Sequence, residues 1–115
     1  MTEQRIELRH GAWQDVLADV EQVDALIFDA PYSSRTHQGF NRMRTWDHER
    51  LAIQYAWIDA DDVDAFMQAW STRCAGWLVS MTDDELSIRW KHAAESSGRY
   101  AFPRVVWIDT HRNVR

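Results

Sequence analysis

The chain has 115 residues, 45% of them hydrophobic and 27% charged, the balance of one globular domain or part of one, which argues against a disordered, collagen-like or coiled-coil protein. Its net charge of −5, from 13 basic and 18 acidic residues, argues against coating nucleic acid by bulk charge but not against a local basic face. No apolar run reaches the ~18 residues of a membrane helix, Met1–Arg5 has no apolar leader core, and Cys74 is the only cysteine, so the expectation is no membrane, no secretory signal, no internal disulfide and a cytoplasmic location.

Residues Arg5 to Arg9 alternate, with Ile6 and Leu8 on one side, the pattern of a short strand. Trp13, Val16, Leu17 and Val20 then share one helical face. Val23 to Phe28 is an apolar run with one charge, Asp24, as in a strand buried on both faces. These elements predict a βαβ unit. From Ala30 to about Trp57 the periodicity is lost, which predicts a mobile loop with a short helix near Glu49–Tyr55. A helix follows from Asp59, with Val63, Phe66, Met67, Trp70 and Cys74 on one face, acids in its first turns and Gly76 at its end. Trp77 to Met81 reads as a strand. Thr82-Asp83-Asp84-Glu85 reads as a capping box opening a helix whose Leu86, Trp90, Ala93 and Ala94 face the core and which Gly98 ends. Tyr100 to Ile108 reads as a last strand, with Pro103 at an edge or bulge. Most of the seven tryptophans should be core, Trp70, Trp77 and Trp90 among them. The pattern predicts an α/β layer fold with a mostly parallel sheet of about four strands and three or four helices.

In open α/β sheets ligands bind beyond the carboxyl ends of strands. Asp29-Ala30-Pro31-Tyr32 stands at such an end. Composition alone is compatible with an Asp-x-Pro turn whose tyrosine covers the sheet edge. A second feature is the charge of residues 33–50, where Arg35, Arg42, Arg44 and Arg50 against Asp47 and Glu49 give +2, leaving −7 for the rest of the chain. Arginines interleaved with Phe40 and Trp46 suit phosphate contact and base stacking, or form a solvated loop with its aromatics on the core. Twelve arginines against one lysine, Lys91, fit phosphate recognition and equally a GC-rich genome. The five histidines and Cys74 lack metal-ligand spacing, so no metal is expected. Cys74 reads as a core residue, and Asp83, Asp84 and Glu85 as first-turn caps.

The stretch VDALIFDAPYSSRTHQGF resembles motif IV of the DNA amino methyltransferases that modify adenine N6 or cytosine N4, an Asp/Asn-Pro-Pro-aromatic tetrapeptide ending a buried strand. Its Ser-x-Arg-Thr-His-x-Gly loop and the run from Asp61 to Phe102 are similar to phage-type and bacterial members, so the resemblance spans most of residues 6–108. It implies a three-layer Rossmann-like methyltransferase half-domain, S-adenosylmethionine as methyl donor and DNA as substrate. It implies Asp29 as side-chain acceptor for the target amine and as a contact to the donor's methionine end. Ala30 supplies the backbone acceptor, Pro31 fixes the turn, and Tyr32 stacks on a base that has left the duplex. Arg35, His37, Arg42 and Arg44 are the residues expected to face DNA.

Two departures qualify the match. Ala30 stands where proline is usual, which loosens the turn but keeps the carbonyl. The glycine-rich turn that holds the cofactor is missing, since Gly11, Gly39, Gly76 and Gly98 lie far apart. In permuted members the cofactor half comes last, so the chain resembles the N-terminal half of one, as a truncated gene, a split subunit or a fragment. Alone it is expected to be weakly active or inactive, and to associate with a second chain or with itself to complete the sheet. Two alternatives stay open. One is a non-catalytic methylase remnant that binds DNA or protein; the other is a methyltransferase for RNA or for protein glutamine.

Overall fold

A computed structural model of the chain describes residues 3–43 and 56–106. Arg44, the helix expected near Glu49–Tyr55 and the end of the last expected strand lie outside the described residues. The element order is α1 (Trp13–Val16), β1 (Leu26–Asp29), α2 (Ser34–Met43), α3 (Ala60–Trp70), β2 (Leu78–Met81) and α4 (Asp84–Ser96). This is an α/β arrangement around a two-stranded parallel sheet. Leu26 pairs with Leu78, Ile27 with Val79, Phe28 with Ser80 and Asp29 with Met81. Parallel neighbours need a long crossover, and residues 30–77 supply it.

Helix α3 begins where its sequence says it should. Asp59 Oδ1 accepts from the backbone N–H groups of Asp61 (2.9 Å) and Asp62 (3.1 Å), and Asp62 Oδ2 accepts from the Asp59 N–H (2.9 Å), a reciprocal cap. These N–H groups, that of Asp62 first, lower the Asp59 pKa despite an opposing desolvation effect. Helix α4 starts one residue later than expected: Asp83, not Thr82, is its N-cap, accepting from the Leu86 N–H at 3.0 Å. Gly98, at φ +79°, closes α4 as predicted, with its N–H on the Glu95 carbonyl.

The core lies between α3 and α4. Val63, Met67, Leu86 and Ala93 are buried, and Leu78, Trp90 and Ala94 pack against them. Each large apolar side chain removed from water there contributes about 1.5–3 kcal/mol. Phe66 sits at the centre of an aromatic group, 4.5 Å from Phe28, 5.2 Å from Trp13 and 5.9 Å from Trp90 between ring centroids. Strand β1 therefore presents Phe28 to the helices.

The opposite face of the sheet is bare among the described residues. Ile27 is 72% exposed and Met81 53%, and Val79 is exposed between them. This corrects the expectation of a strand buried on both faces. Trp77 is corrected in the same way: it is exposed, with its ring 5.0 Å from Phe102. The strand expected at Arg5–Arg9 does not form, and residues 101–106 carry no strand. Alternation marks which side chains can share a face, but a strand also needs a neighbour for its N–H and C=O groups. Ile6, Leu8 and Val105 are correspondingly open to solvent.

Beyond Trp70 the chain leaves the helix, six residues before Gly76. Cys74 forms an isolated parallel bridge with Val23, and the Ala75 N–H donates to the Val23 carbonyl at 2.8 Å. A Cβ at Gly76 would collide with the Asp24 carbonyl oxygen, so this glycine is required for the close approach of the two segments. Two arginines fasten the junction. Arg73 donates to the carbonyls of Leu17 (3.0 Å) and Val20. Arg99 donates to those of Ser71 (2.8 Å), Gly76 (2.9 Å) and Cys74. Charged donors on backbone carbonyls make stronger bonds than neutral ones.

Candidate functional site

Asp29-Ala30-Pro31-Tyr32 leaves the carboxyl end of β1, beside the carboxyl end of β2. Asp29 is exposed there, and Ala30, Pro31 and Tyr32 are half-buried. An exposed carboxylate followed at once by a backbone carbonyl offers two acceptors from consecutive residues, which suits a group with two N–H donors.

The turn does not end in open loop. Ser33 is 4% exposed, and its hydroxyl accepts weakly from the Thr36 N–H at 3.4 Å, opening α2. Asp83 reaches back to the same place. Its Oδ2 accepts from the Ser33 N–H (2.9 Å), from the Thr36 hydroxyl (2.6 Å) and from the Ser33 hydroxyl. On the other side the Tyr32 carbonyl accepts from the Ile58 N–H at 3.2 Å, just before α3. Burial raises the Asp83 pKa and is the largest single influence. The hydrogen bonds from Ser33 and Thr36, with the Leu86 N–H, together outweigh it, and the group stays below the ordinary carboxylate value. A depressed folded-state pKa stabilises above the unfolded value and is lost as pH falls through the folded one, so this tether is intact at neutral pH and fails only in acid.

Helix α2 occupies part of the expected loop, so the start of that loop is corrected to an ordered element. Arg35 is exposed on it. His37 is instead buried, 3% exposed, with its ring edge-on to Trp57 at 6.1 Å. It faces the interior and not a DNA surface. Arg42 belongs to the last turn of α2, with its side chain outside the described residues, as is Arg44 altogether.

A cleft of about 1110 Å³ lies elsewhere. Trp77, Trp90, Tyr100, Phe102 and Arg104 line it, and Asp29–Tyr32 do not. It is the space between β2, α4 and the irregular chain after Gly98. The Asp29 carboxylate and the Ala30 carbonyl lie at the β1 turn and not in this apolar space.

None of the four glycines forms part of a cofactor cradle: Gly11 precedes α1, Gly39 lies inside α2, Gly76 packs on the Asp24 backbone and Gly98 ends α4. The described residues therefore do not fit S-adenosylmethionine as its principal holder. Among them, too, no three His, Cys, Asp or Glu side chains converge as metal ligands, and no helix is long and apolar enough to cross a membrane. The chain matches no protein-family model, no curated protein and no solved structure.

Proposed function

We propose that the Asp29–Tyr32 turn receives the exocyclic amine of a base in DNA and that the chain is the amine-binding half of an S-adenosylmethionine-dependent methyltransferase with a Rossmann-like catalytic domain. The observation that carries this is the position of the tetrapeptide, at the carboxyl end of a strand in a parallel sheet, where α/β folds bind ligands. An exocyclic amine is a poor nucleophile because its lone pair is spread into the ring. The Asp29 carboxylate accepts one of its N–H bonds and the Ala30 carbonyl the other. The nitrogen then moves towards tetrahedral geometry with its lone pair free, and the fixed negative charge of Asp29 offsets the positive charge developing on it. The Tyr32 ring supplies a stacking surface for the base, worth about 1–3 kcal/mol in comparable contacts. The described residues provide the amine side of the reaction alone, and no step through the cofactor is assigned to them.

The placement of the glycines favours a second reading, a remnant that binds without catalysing. Cofactor titration separates the two. The chain alone is expected to bind S-adenosylmethionine far more weakly than ~1 μM, the affinity that about −8.2 kcal/mol would give. With Ile27, Val79 and Met81 bare on a parallel sheet, an arrangement usually covered on both faces, light scattering is expected to give a mass above the 13.6 kDa of one chain. Micromolar cofactor binding by a clean 13.6 kDa monomer would overturn the half-domain reading and leave a complete, very small enzyme.

Any DNA affinity should depend on Arg35, Arg42 and Arg44. Each phosphate contact contributes about 0.9 to the slope of log K against log salt, so replacing all three by alanine flattens the slope by up to about 2.7. An unchanged slope would put the DNA face elsewhere.

A further inference from the structure

We propose that Asp83 is the positioning residue of the Asp29–Tyr32 turn: its carboxylate holds the Tyr32–Ser33 peptide, and through it sets where the Tyr32 ring stands. The role in base binding rests on the function proposed above; the tether itself rests on geometry. A peptide unit is planar, so its C=O and N–H move together. The oxygen of the unit between Tyr32 and Ser33 is held by the Ile58 N–H at 3.2 Å, and its nitrogen by Asp83 Oδ2 at 2.9 Å. The two partners come from different parts of the chain, one inside the crossover just before α3 and one beyond it, after β2. Rotating this unit, which carries Tyr32 with it, breaks one bond or the other.

The two oxygens of Asp83 divide the work. Oδ1 caps α4 through the Leu86 N–H at 3.0 Å, a task that serine or asparagine performs about as well. Oδ2 is turned wholly to the 33–36 segment and takes the Ser33 N–H and the Ser33 and Thr36 hydroxyls. Capping does not require that second set of contacts. Asp83 sits two residues past β2, whose last residue, Met81, pairs with Asp29, so the tether spans the tips of the two strands at the site itself.

The test separates tether from cap. Asp83→Asn keeps an oxygen for Leu86 and turns an N–H₂ donor towards Ser33; Asp83→Ser keeps the cap and removes the reach. Asp84→Asn, one residue away with its carboxylate on Arg104, is the control. Tyrosine-labelled chain is followed by NMR for the Tyr32 ring, with amide exchange at Ser33 and Leu86. Expected is a displaced Tyr32 resonance and Ser33 exchange faster by at least about tenfold in both Asp83 variants. Leu86 protection is retained, and Asp84→Asn shows no change. Two results overturn the proposal. One is an unmoved Tyr32 and Ser33. The other is joint loss of Ser33 and Leu86 protection or failure of both variants to fold, which makes Asp83 a structural cap. In a preparation that transfers methyl groups, Asp83→Asn lowers kcat/KM by about tenfold or more while Asp84→Asn does not. Failure of the unmodified chain to methylate DNA in any preparation would remove the proposed function and leave the tether decided by the NMR measurements alone.

Discussion

On the proposed function, replacing Asp29 by alanine is expected to abolish methyl transfer in any active preparation and to leave the fold standing. The side chain is exposed at the tip of β1, so its loss opens no cavity. Surface changes of this kind stay within about 0.5 kcal/mol, a displacement of about 3 °C in the melting temperature of a domain this small. The chemical loss is far larger. Removing one preorganised electrostatic contact to a developing charge costs about 10²–10³ in rate, and Asp29 is the only charged group of the four-residue turn. Asp29→Asn retains an oxygen but not the charge and should fall between the two. Radiolabelled methyl transfer to DNA, read beside a thermal melt, is the measurement. Transfer retained in Asp29→Ala would remove the amine-binding assignment; a collapsed melt would make Asp29 a structural turn residue.

Trp70→Ala is expected to remove most of the cooperative folding transition. Trp70 is 1% exposed and, with Val63, among the largest fully buried side chains. Truncating such a tryptophan costs about 3–5 kcal/mol, against a total of about 5–15 kcal/mol for ordinary domains. This domain belongs near the lower end, because one face of its sheet is largely exposed among the described residues. The loss extends beyond the cavity. The Arg73 guanidinium lies 4.1 Å from the Trp70 ring centre, and the same group holds the carbonyls of Leu17 and Val20. Without the ring to rest on, the clamp on the N-terminal segment loosens too. Trp77→Ala, at a 62% exposed position, is expected to shift the denaturation midpoint only slightly. Similar midpoints for the two variants would refute the assignment of Trp70 to the centre of the core.

Helices α3 and α4 and the two central strands are legible in the sequence because each depends on short-range rules. Asp59 and Gly98 mark helix ends by local hydrogen bonding, and the apolar residues of α3 recur at helical spacing. Helix α2 is different. Ser33, just before its first residue, and Thr36 and His37 within it are buried or half-buried polar groups at helical spacing that a search for apolar periodicity passes over. Ser33 and Thr36 are held by Asp83, 50 residues from Ser33 and unreadable from the local pattern around either, and His37 lies against Trp57. The same limit explains Asp83 itself. Its capping character is plain from Leu86 three residues on, whereas its second oxygen answers to a segment on the far side of the crossover. The tips at Arg5–Arg9 and Tyr100–Val106 fail for the opposite reason: their local pattern suits strands, but strand formation depends on a neighbour, which neither finds among the described residues.

The only thiol of the chain lies inside the junction that joins its N-terminal segment to α3. Cys74 is 2% exposed, bridged to Val23 and pointed at the Trp77 carbonyl, 3.4 Å from its sulfur. A thiol reagent reaches it only when residues 23–25 part from residues 73–77, so the labelling rate follows that opening and not motion of the exposed Arg5–Arg9 and Tyr100–Val106 segments. Cys74 is thus an internal clock for local opening, and a poor handle for attaching a dye to the native chain. A label meant to report on Tyr32 requires a new surface cysteine, with Cys74 left undisturbed beneath the bridge.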